Sequence, residues 1–175
     1  IPAVTTDFDG LLRSATTPDI GADEFTASYV PMAGDYTIGG TSSDFATFSL
    51  AVDALNNKGI SGPVTFKVRN GAYTEHFELF EISGSSASNT ITFQSESGDS
   101  TKVTLSYNAP STAENYVVKL TSADYMTIKN MTIAAANSVY SNAIVINGNV
   151  THLKILNNIL SLNNNSSGYG IYSAD

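Results

Sequence analysis

Short runs of alternating apolar and polar residues fill most of this chain, and polar turns separate them. The run YMTIKNMTI spans Tyr125–Ile133, and the same pattern returns as HLKILNNIL at His152–Leu160. The interval between the two runs is about 27 residues, within the range of periods that marks solenoid repeats. Alternation with a period of two predicts β-strands with one buried face. The predicted alternating apolar sets of the two successive repeats are Met126, Ile128, Met131 and Ile133, then Leu153, Ile155, Ile159 and Leu162.

This repeat interval extends toward the start of the chain. The matched positions are Val64 with Ile91 and Phe66 with Phe93, followed at the same or nearly the same interval by Val118 and Leu120, Ile144 and Ile146, and Ile171. Strands this short cannot bury their faces alone, so each repeat must stack on its neighbour. The pattern predicts a parallel β-helix whose coils lie about 4.8 Å apart. The alternative, a β-sandwich, would show turn signals roughly every 8–12 residues without a long repeat.

Asn130 and Asn157 occupy the same place in the two runs, between two strands of successive coils. The chain must bend sharply there, and asparagine tolerates the left-handed backbone conformation that such a bend requires. We interpret both as turn residues, with side-chain amides that can hydrogen-bond along the axis, rather than as ligand-binding residues.

Residues 44–58 have a different periodicity. Apolar side chains recur there at helical spacing, and Ser43 or Asp44 is predicted to cap the first turn. Gly59 follows where the helix should end. We predict an amphipathic helix, with Phe48 and Val52 facing the first coil, that covers the open end of the solenoid.

Composition excludes several classes of function. The 175 residues include no cysteine, so disulfides, thiolate metal sites and cysteine nucleophiles are excluded. The net charge of −8 argues against nucleic acid as a partner. Membrane insertion is not expected, because no apolar run approaches the roughly 20 residues of a span. No signal peptide is visible, so the sequence is expected to be an interior piece of something longer.

Residues 35–175 resemble the N-terminal region of the pectin lyase-like right-handed β-helix superfamily. The resemblance rests on the order DFATFSLAVDAL, GPVTFKVRNGAYTEHFEL and NTITFQSESGDSTKVTL. It implies an all-β, right-handed parallel β-helix of about four to five coils with a capping helix, and polysaccharide as the partner. Pectinesterases of this superfamily use paired aspartates with arginine and glutamine. No such set is present here, because no arginine follows Arg69; no catalytic residue is carried over.

Residues 1–25 form an acidic segment of a different kind. The stretch DFDGLLRSATTPDIGADEF resembles the closing motif of large secreted bacterial β-helix proteins, and residues 26–34 would link that tail to the next module. Clustered carboxylates can bind calcium, although the spacing does not match an EF-hand loop. The calcium candidates are Asp7, Asp9, Asp19 and Asp23; the alternative is a solvated turn in which Arg13 pairs with a local carboxylate.

The stretch YTEHFELFE places Glu75 and Glu78 on either side of His76. Paired carboxylates can act as acid and base in glycoside cleavage. Strand alternation, however, puts His76 and Glu78 on the face opposite Phe77 and Leu79, so the charged set also fits the wet face of an early coil.

Aromatic and basic residues of the coils are candidates for sugar binding. Exposed tyrosines can stack on sugar rings, and the alternative is that they are buried in turns. A lysine pair separated by the repeat interval can bind an acidic sugar or simply mark a turn edge. These candidates are Tyr107, Tyr116 and Tyr125 with Lys102 and Lys129.

The sequence favours a non-catalytic fragment of a secreted or cell-surface bacterial β-helix protein, which binds polysaccharide or takes part in adhesion. The alternative is part of a polysaccharide lyase or glycoside hydrolase whose catalytic coils follow Asp175. We also expect end-to-end self-association through the last coil, which has no predicted cover.

Overall fold

The computed structural model describes residues 29–137, 139, 141–163 and 168–174. By its contacts the chain divides into two compact units, residues 1–30 and Pro31–Asp175. The acidic segment 1–25, with its closing motif and its calcium candidates, lies outside the described residues. The first strand begins at Met32, inside the range 26–34 predicted as a linker. Met32 is buried, because it pairs with Ile60 and joins the core.

The second unit is a right-handed parallel β-helix of about five turns. Its elements in chain order are β1 Met32–Ile38, α1 Phe48–Lys58, β2 Ile60–Val68, β3 Gly71–Thr74, β4 Phe77–Leu79, β5 Ile91–Ser95, β6 Val103–Tyr107, β7 Val118–Thr121, β8 Met126–Lys129, β9 Thr132–Ala135, β10 Ile144–Asn147, β11 Lys154–Leu156, β12 Ile159–Leu162 and β13 Ile171–Ala174. They form three parallel sheets, with strand orders β1-β2-β5-β8-β11, β3-β6-β9-β12 and β4-β7-β10-β13. We call these the first, second and third sheets.

Inward ladders of apolar side chains build the core. Val64 pairs with Ile91 and Phe66 with Phe93 in the first sheet, as the repeat predicts. Val118 and Leu120 continue a different ladder, because they pair with Phe77 and Leu79 in the third sheet. The alignment that joined these two ladders is therefore wrong, and Ile91 instead pairs with Met126, well beyond one repeat interval.

The length of one corner explains this error. Seven residues, 96–102, separate β5 from β6, whereas two separate β8 from β9. One repeat interval counted from Ile91 therefore ends on β7 rather than on the next strand of the same sheet. In β12 the inward residues are Leu160 and Leu162, and Ile159 is exposed, contrary to the predicted apolar set.

The corner asparagines have the predicted backbone. Asn130 and Asn157 have φ of 57° and 52°, in the left-handed region. At this corner the next residue, Asn158, makes two side-chain bonds to the preceding coil. Its Oδ1 accepts from the Met131 N–H at 3.0 Å, and its Nδ2 donates to the Ile128 carbonyl at 2.7 Å.

Helix α1 covers the solenoid end, as predicted, and buries Phe48 and Val52. It begins at Phe48 rather than at residue 44, and Thr47 is the N-cap, with its hydroxyl accepting from the Leu50 N–H at 3.2 Å. Asp44 does not cap the helix, because its carboxylate accepts from the Thr37 N–H and hydroxyl, both at 2.7 Å. Gly59 ends the helix with φ of 64°, as its position predicts. In the described part of the chain, no helix has the length and apolar content of a membrane span.

Large apolar side chains are exposed on the last coil, among them Leu156 and Ile171. The end-to-end self-association expected for this coil stays a prediction, and Asp175 lies outside the described residues.

Candidate functional site

Glu75 binds the N-terminus of α1. Its carboxylate accepts from the Phe48 N–H at 3.3 Å, the Ser49 N–H at 3.1 Å and the Ser49 hydroxyl at 2.9 Å. A negative charge at a helix N-terminus satisfies free backbone donors and is favoured by the helix dipole. Glu75 thus ties the capping helix to the first coil.

Replacing Glu75 with alanine is expected to lower the free energy of unfolding by about 0.5–2 kcal/mol, the range for losing a helix cap. Urea unfolding measures this change. Glu81→Ala, which removes the same charge from an exposed position, is the control and should leave stability within about 0.5 kcal/mol. Equal stability of the two variants would contradict the capping role.

Glu78 points away from the helix and pairs across the third sheet. Its Oε1 lies 3.1 Å from Lys119 Nζ and accepts from the Thr121 hydroxyl at 2.7 Å. The Glu78 and Lys119 side chains are only 22% and 26% exposed. Glu75 and Glu78 therefore bind different elements and do not face a common space as an acid–base pair would. The face that carries Glu78, which was predicted to be exposed to solvent, is therefore half-buried at this position.

His76 and two of the predicted tyrosines form one aromatic cluster. The His76 ring lies parallel to the Tyr107 ring at a centroid distance of 3.8 Å, and the Tyr116 ring is 5.1 Å away. The Tyr107 hydroxyl donates to Glu114 at 2.7 Å. Burial, with Glu78 and Glu114 nearby, raises the pKa of Tyr116, so that its phenol stays protonated at neutral pH.

Beside Tyr116 lies a cleft of about 240 Å³ on the outer face of the third sheet. We call it the sheet cleft; its lining is Thr112, Ala113, Asn115, Tyr116, Lys119, Asn142, Val145, Asn147 and Tyr172. Lys119 Nζ lies 5.5 Å from the Tyr116 ring centroid. Lys119 could not be recognised as a candidate from the sequence, because the strand pairing that brings it to Glu78 does not follow the repeat interval.

A second cleft, of about 230 Å³, lies where the chain turns into the first sheet. We call it the corner cleft; its lining is Ala87, Thr90, Tyr125, Thr127, His152, Leu153 and Lys154. The Tyr125 and His152 rings are stacked at 4.4 Å with an angle of 10° between their planes. One repeat interval separates Tyr125 from His152, and this spacing would have identified His152 as its partner.

The predicted lysine pair does not stack. Lys129 lies in β8, where it pairs with Gln94 and Leu156. Lys102 lies in the corner 96–102 before β6, which pairs with β9 at an offset of 28 residues, so Lys102 falls one register position away from Lys129 rather than opposite it. Lys154, which pairs with Thr127 and lines the corner cleft, shares the outer face of the first sheet with Lys129 instead.

Metal ligands do not cluster in the described ranges: no three histidine, aspartate or glutamate side chains come together there to hold an ion. The predicted calcium candidates Asp7, Asp9, Asp19 and Asp23 are not part of those ranges.

Comparisons with known proteins support the fold. No family model matches the chain, and no curated protein matches it significantly. A solved structure of the pectin methylesterase from Aspergillus niger, penultimately deglycosylated, is similar with a TM-score of 0.57 at 19% identity, covering 79% of this chain and 45% of that one. The deglycosylated form gives a TM-score of 0.56 at 18% identity, covering 83% and 48%.

At this identity the likeness concerns the fold alone. It confirms the right-handed parallel β-helix predicted from the sequence. The chain spans about half the length of these two solved chains. None of the comparisons supports the closing motif predicted in residues 1–25.

Proposed function

We propose that this chain is a non-catalytic, polysaccharide-binding β-helix segment of a secreted or cell-surface protein, and that the corner cleft binds acidic sugar residues. The observation that carries the proposal is the parallel Tyr125–His152 stack beside Lys154. Aromatic faces bind the apolar faces of sugar rings, and a few placed polar groups orient the ligand.

The backbone of the stack supports a binding role. Tyr125 and His152 have φ of 57° and 55°, a conformation that costs a bulky residue about 1–2 kcal/mol. At the other corner of the same coils, asparagine fills this conformation at lower cost. Stacking of the two rings stabilises the fold by only about 0.5–1.5 kcal/mol, which does not clearly offset this cost. Residues with such an unfavourable backbone conformation persist only where the surrounding structure holds them, and they are concentrated at ligand-binding sites.

Electrostatics favour an acidic ligand at this face. The chain has a net charge of −8, yet Lys129 and Lys154 lie on the outer side of the first sheet. Among the described residues, the ion pairs of lysines are Lys67 with Asp35 and Lys119 with Glu78. Lys129 and Lys154 therefore remain available to a ligand carboxylate, and Thr127 adjoins both of them in the sheet.

Titration calorimetry with an oligogalacturonate tests the proposal. Lys154→Gln is expected to weaken binding about tenfold, the effect of losing one charge-assisted hydrogen bond. Tyr125→Asn removes the ring but keeps a residue that tolerates the left-handed backbone, and should weaken binding by a similar factor. Binding should also weaken as salt is raised, because exposed charges are screened.

Lys102→Gln is the matched control, because it removes the same charge from an exposed corner outside the cleft. It should leave the affinity within about twofold. Absence of oligogalacturonate binding, or equal losses in the Lys102 and Lys154 variants, would contradict the proposal.

A second candidate is part of a carbohydrate-active enzyme, a polysaccharide lyase or glycoside hydrolase, whose catalytic coils follow Asp175. The observation that favours it is that the similar solved structures are pectin methylesterases, and this chain covers less than half of each. Release of reducing ends or unsaturated products by the 175-residue chain from pectin, xylan, alginate or cellulose would contradict the non-catalytic proposal. It would also show that the catalytic groups lie within this chain rather than after Asp175.

A further inference from the structure

The floor of the sheet cleft runs along the solenoid axis. Lys119, Val145 and Tyr172 occupy one register position in β7, β10 and β13. Adjacent strands are about 4.8 Å apart, so this row extends about 10 Å. Tyr116 lies on one side of the row, and Tyr172, 39% exposed, is at its end. The shape suits an extended chain of rings better than a single ion.

The charges of the sheet cleft are balanced. Lys119 is the charged side chain of the lining, and Glu78 lies 3.1 Å from its ammonium group. A ligand carboxylate that approached Lys119 would also meet Glu78. Burial is the main cause of the raised pKa of Tyr116, and the carboxylates of Glu78 and Glu114 add to it. An anion is therefore disfavoured in this cleft.

Uncharged hydrogen-bond donors remain. Asn115 Oδ1 accepts from the Asn142 N–H, and Asn142 Oδ1 accepts from the Tyr169 N–H, each at 3.0 Å. These bonds between coils fix both amides through their oxygens, which leaves the two NH₂ groups as donors on residues that line the cleft. The two groups are one coil apart, about 4.8 Å. Hydroxyl and ring oxygens of a sugar chain can accept from them.

We propose that the sheet cleft is a second binding site, separate from the corner cleft, and that it takes an uncharged oligosaccharide. The rings of Tyr116 and Tyr172 contact the apolar faces of the sugar rings, and the amides of Asn115 and Asn142 donate to their oxygens. The site lies on the third sheet and the corner cleft on the first, so this proposal does not depend on the function proposed above.

Calorimetric titration with cellohexaose, xylohexaose and mannohexaose, alongside hexagalacturonate, tests the proposal. At least one of the three uncharged hexasaccharides should bind. Tyr172→Ala should weaken that binding about tenfold, whereas Lys154→Gln and Phe80→Ala, an exposed aromatic outside both clefts, should leave it within about twofold. Thermal unfolding of Tyr172→Ala checks that the fold is intact.

A charge variant gives an independent readout. The variant Glu78→Gln is introduced into the Lys154→Gln background, so that the corner cleft contributes little to binding. Loss of the Glu78 charge removes the ion pair of Lys119. The affinity for hexagalacturonate should then rise about tenfold. Failure of all three uncharged hexasaccharides to bind would overturn the proposal. So would unchanged binding in Tyr172→Ala, or a Glu78→Gln variant without the gain. Loss of hexagalacturonate binding in Lys154→Gln alone concerns the corner cleft, so the two proposals fail separately.

Discussion

Replacing Phe93 with alanine is expected to lower the free energy of unfolding by about 3–5 kcal/mol, because the deleted ring leaves a cavity in a packed core. Phe93 is fully buried. Its ring stacks on Phe66 at 4.6 Å and on Phe77 at 5.6 Å, so it joins two coils of the first sheet to the third sheet. Urea unfolding measures the loss.

Phe80→Ala is the control for this variant, since Phe80 is half exposed and should cost no more than about 0.5–1 kcal/mol. A Phe93 variant as stable as the Phe80 variant would show that the stacked rings do not hold the coils together.

Replacing Phe48 with aspartate is expected to destabilise the protein by at least as much as the Phe93 truncation. The ring of Phe48 is fully buried. Its centroid lies 5.3 Å from that of Tyr73, 5.7 Å from that of Phe77 and 6.2 Å from that of Phe93. These three partners belong to three different sheets. A carboxylate there is buried without a partner or expels the helix. Helix loss exposes the solenoid end, so we also expect aggregation, measured by light scattering.

Leu50→Asp puts the same charge on the same helix at an exposed position. It should remain monodisperse and nearly as stable as the parent. If Phe48→Asp behaves like Leu50→Asp, the helix does not cover the solenoid end.

The fold class follows from the sequence because a parallel β-helix repeats its inward positions. Phe66 and Phe93 could be paired from spacing alone, since the coil that joins them has the regular length. Spacing failed at Val118, because the long corner 96–102 changes the register without leaving an apolar signal. The start of α1 was misplaced for a local reason: Asp44 looks like a cap but binds Thr37.

The sequence allowed individual residues of the candidate sites to be predicted, but it did not show which of them lie together. Tyr116 and Tyr125 could be named from their type, but nothing in their spacing shows that they line clefts on different sheets. Lys119 and Glu78 meet through a pairing of strands whose connecting corners have irregular lengths. Which polar groups share a surface therefore depends on corner geometry, which composition and periodicity do not encode.

The unequal corners also bear on how such a protein can be altered. The strand ladders keep their pairing whether two residues or seven join consecutive strands. Lengthening a flexible loop costs little, about 0.6 kcal/mol for each doubling. The corner 96–102 is thus a suitable place to graft a foreign peptide, and evolution can equally enlarge it. New recognition chemistry can be added at the corners of this scaffold while the stacked strands that stabilise it stay unchanged.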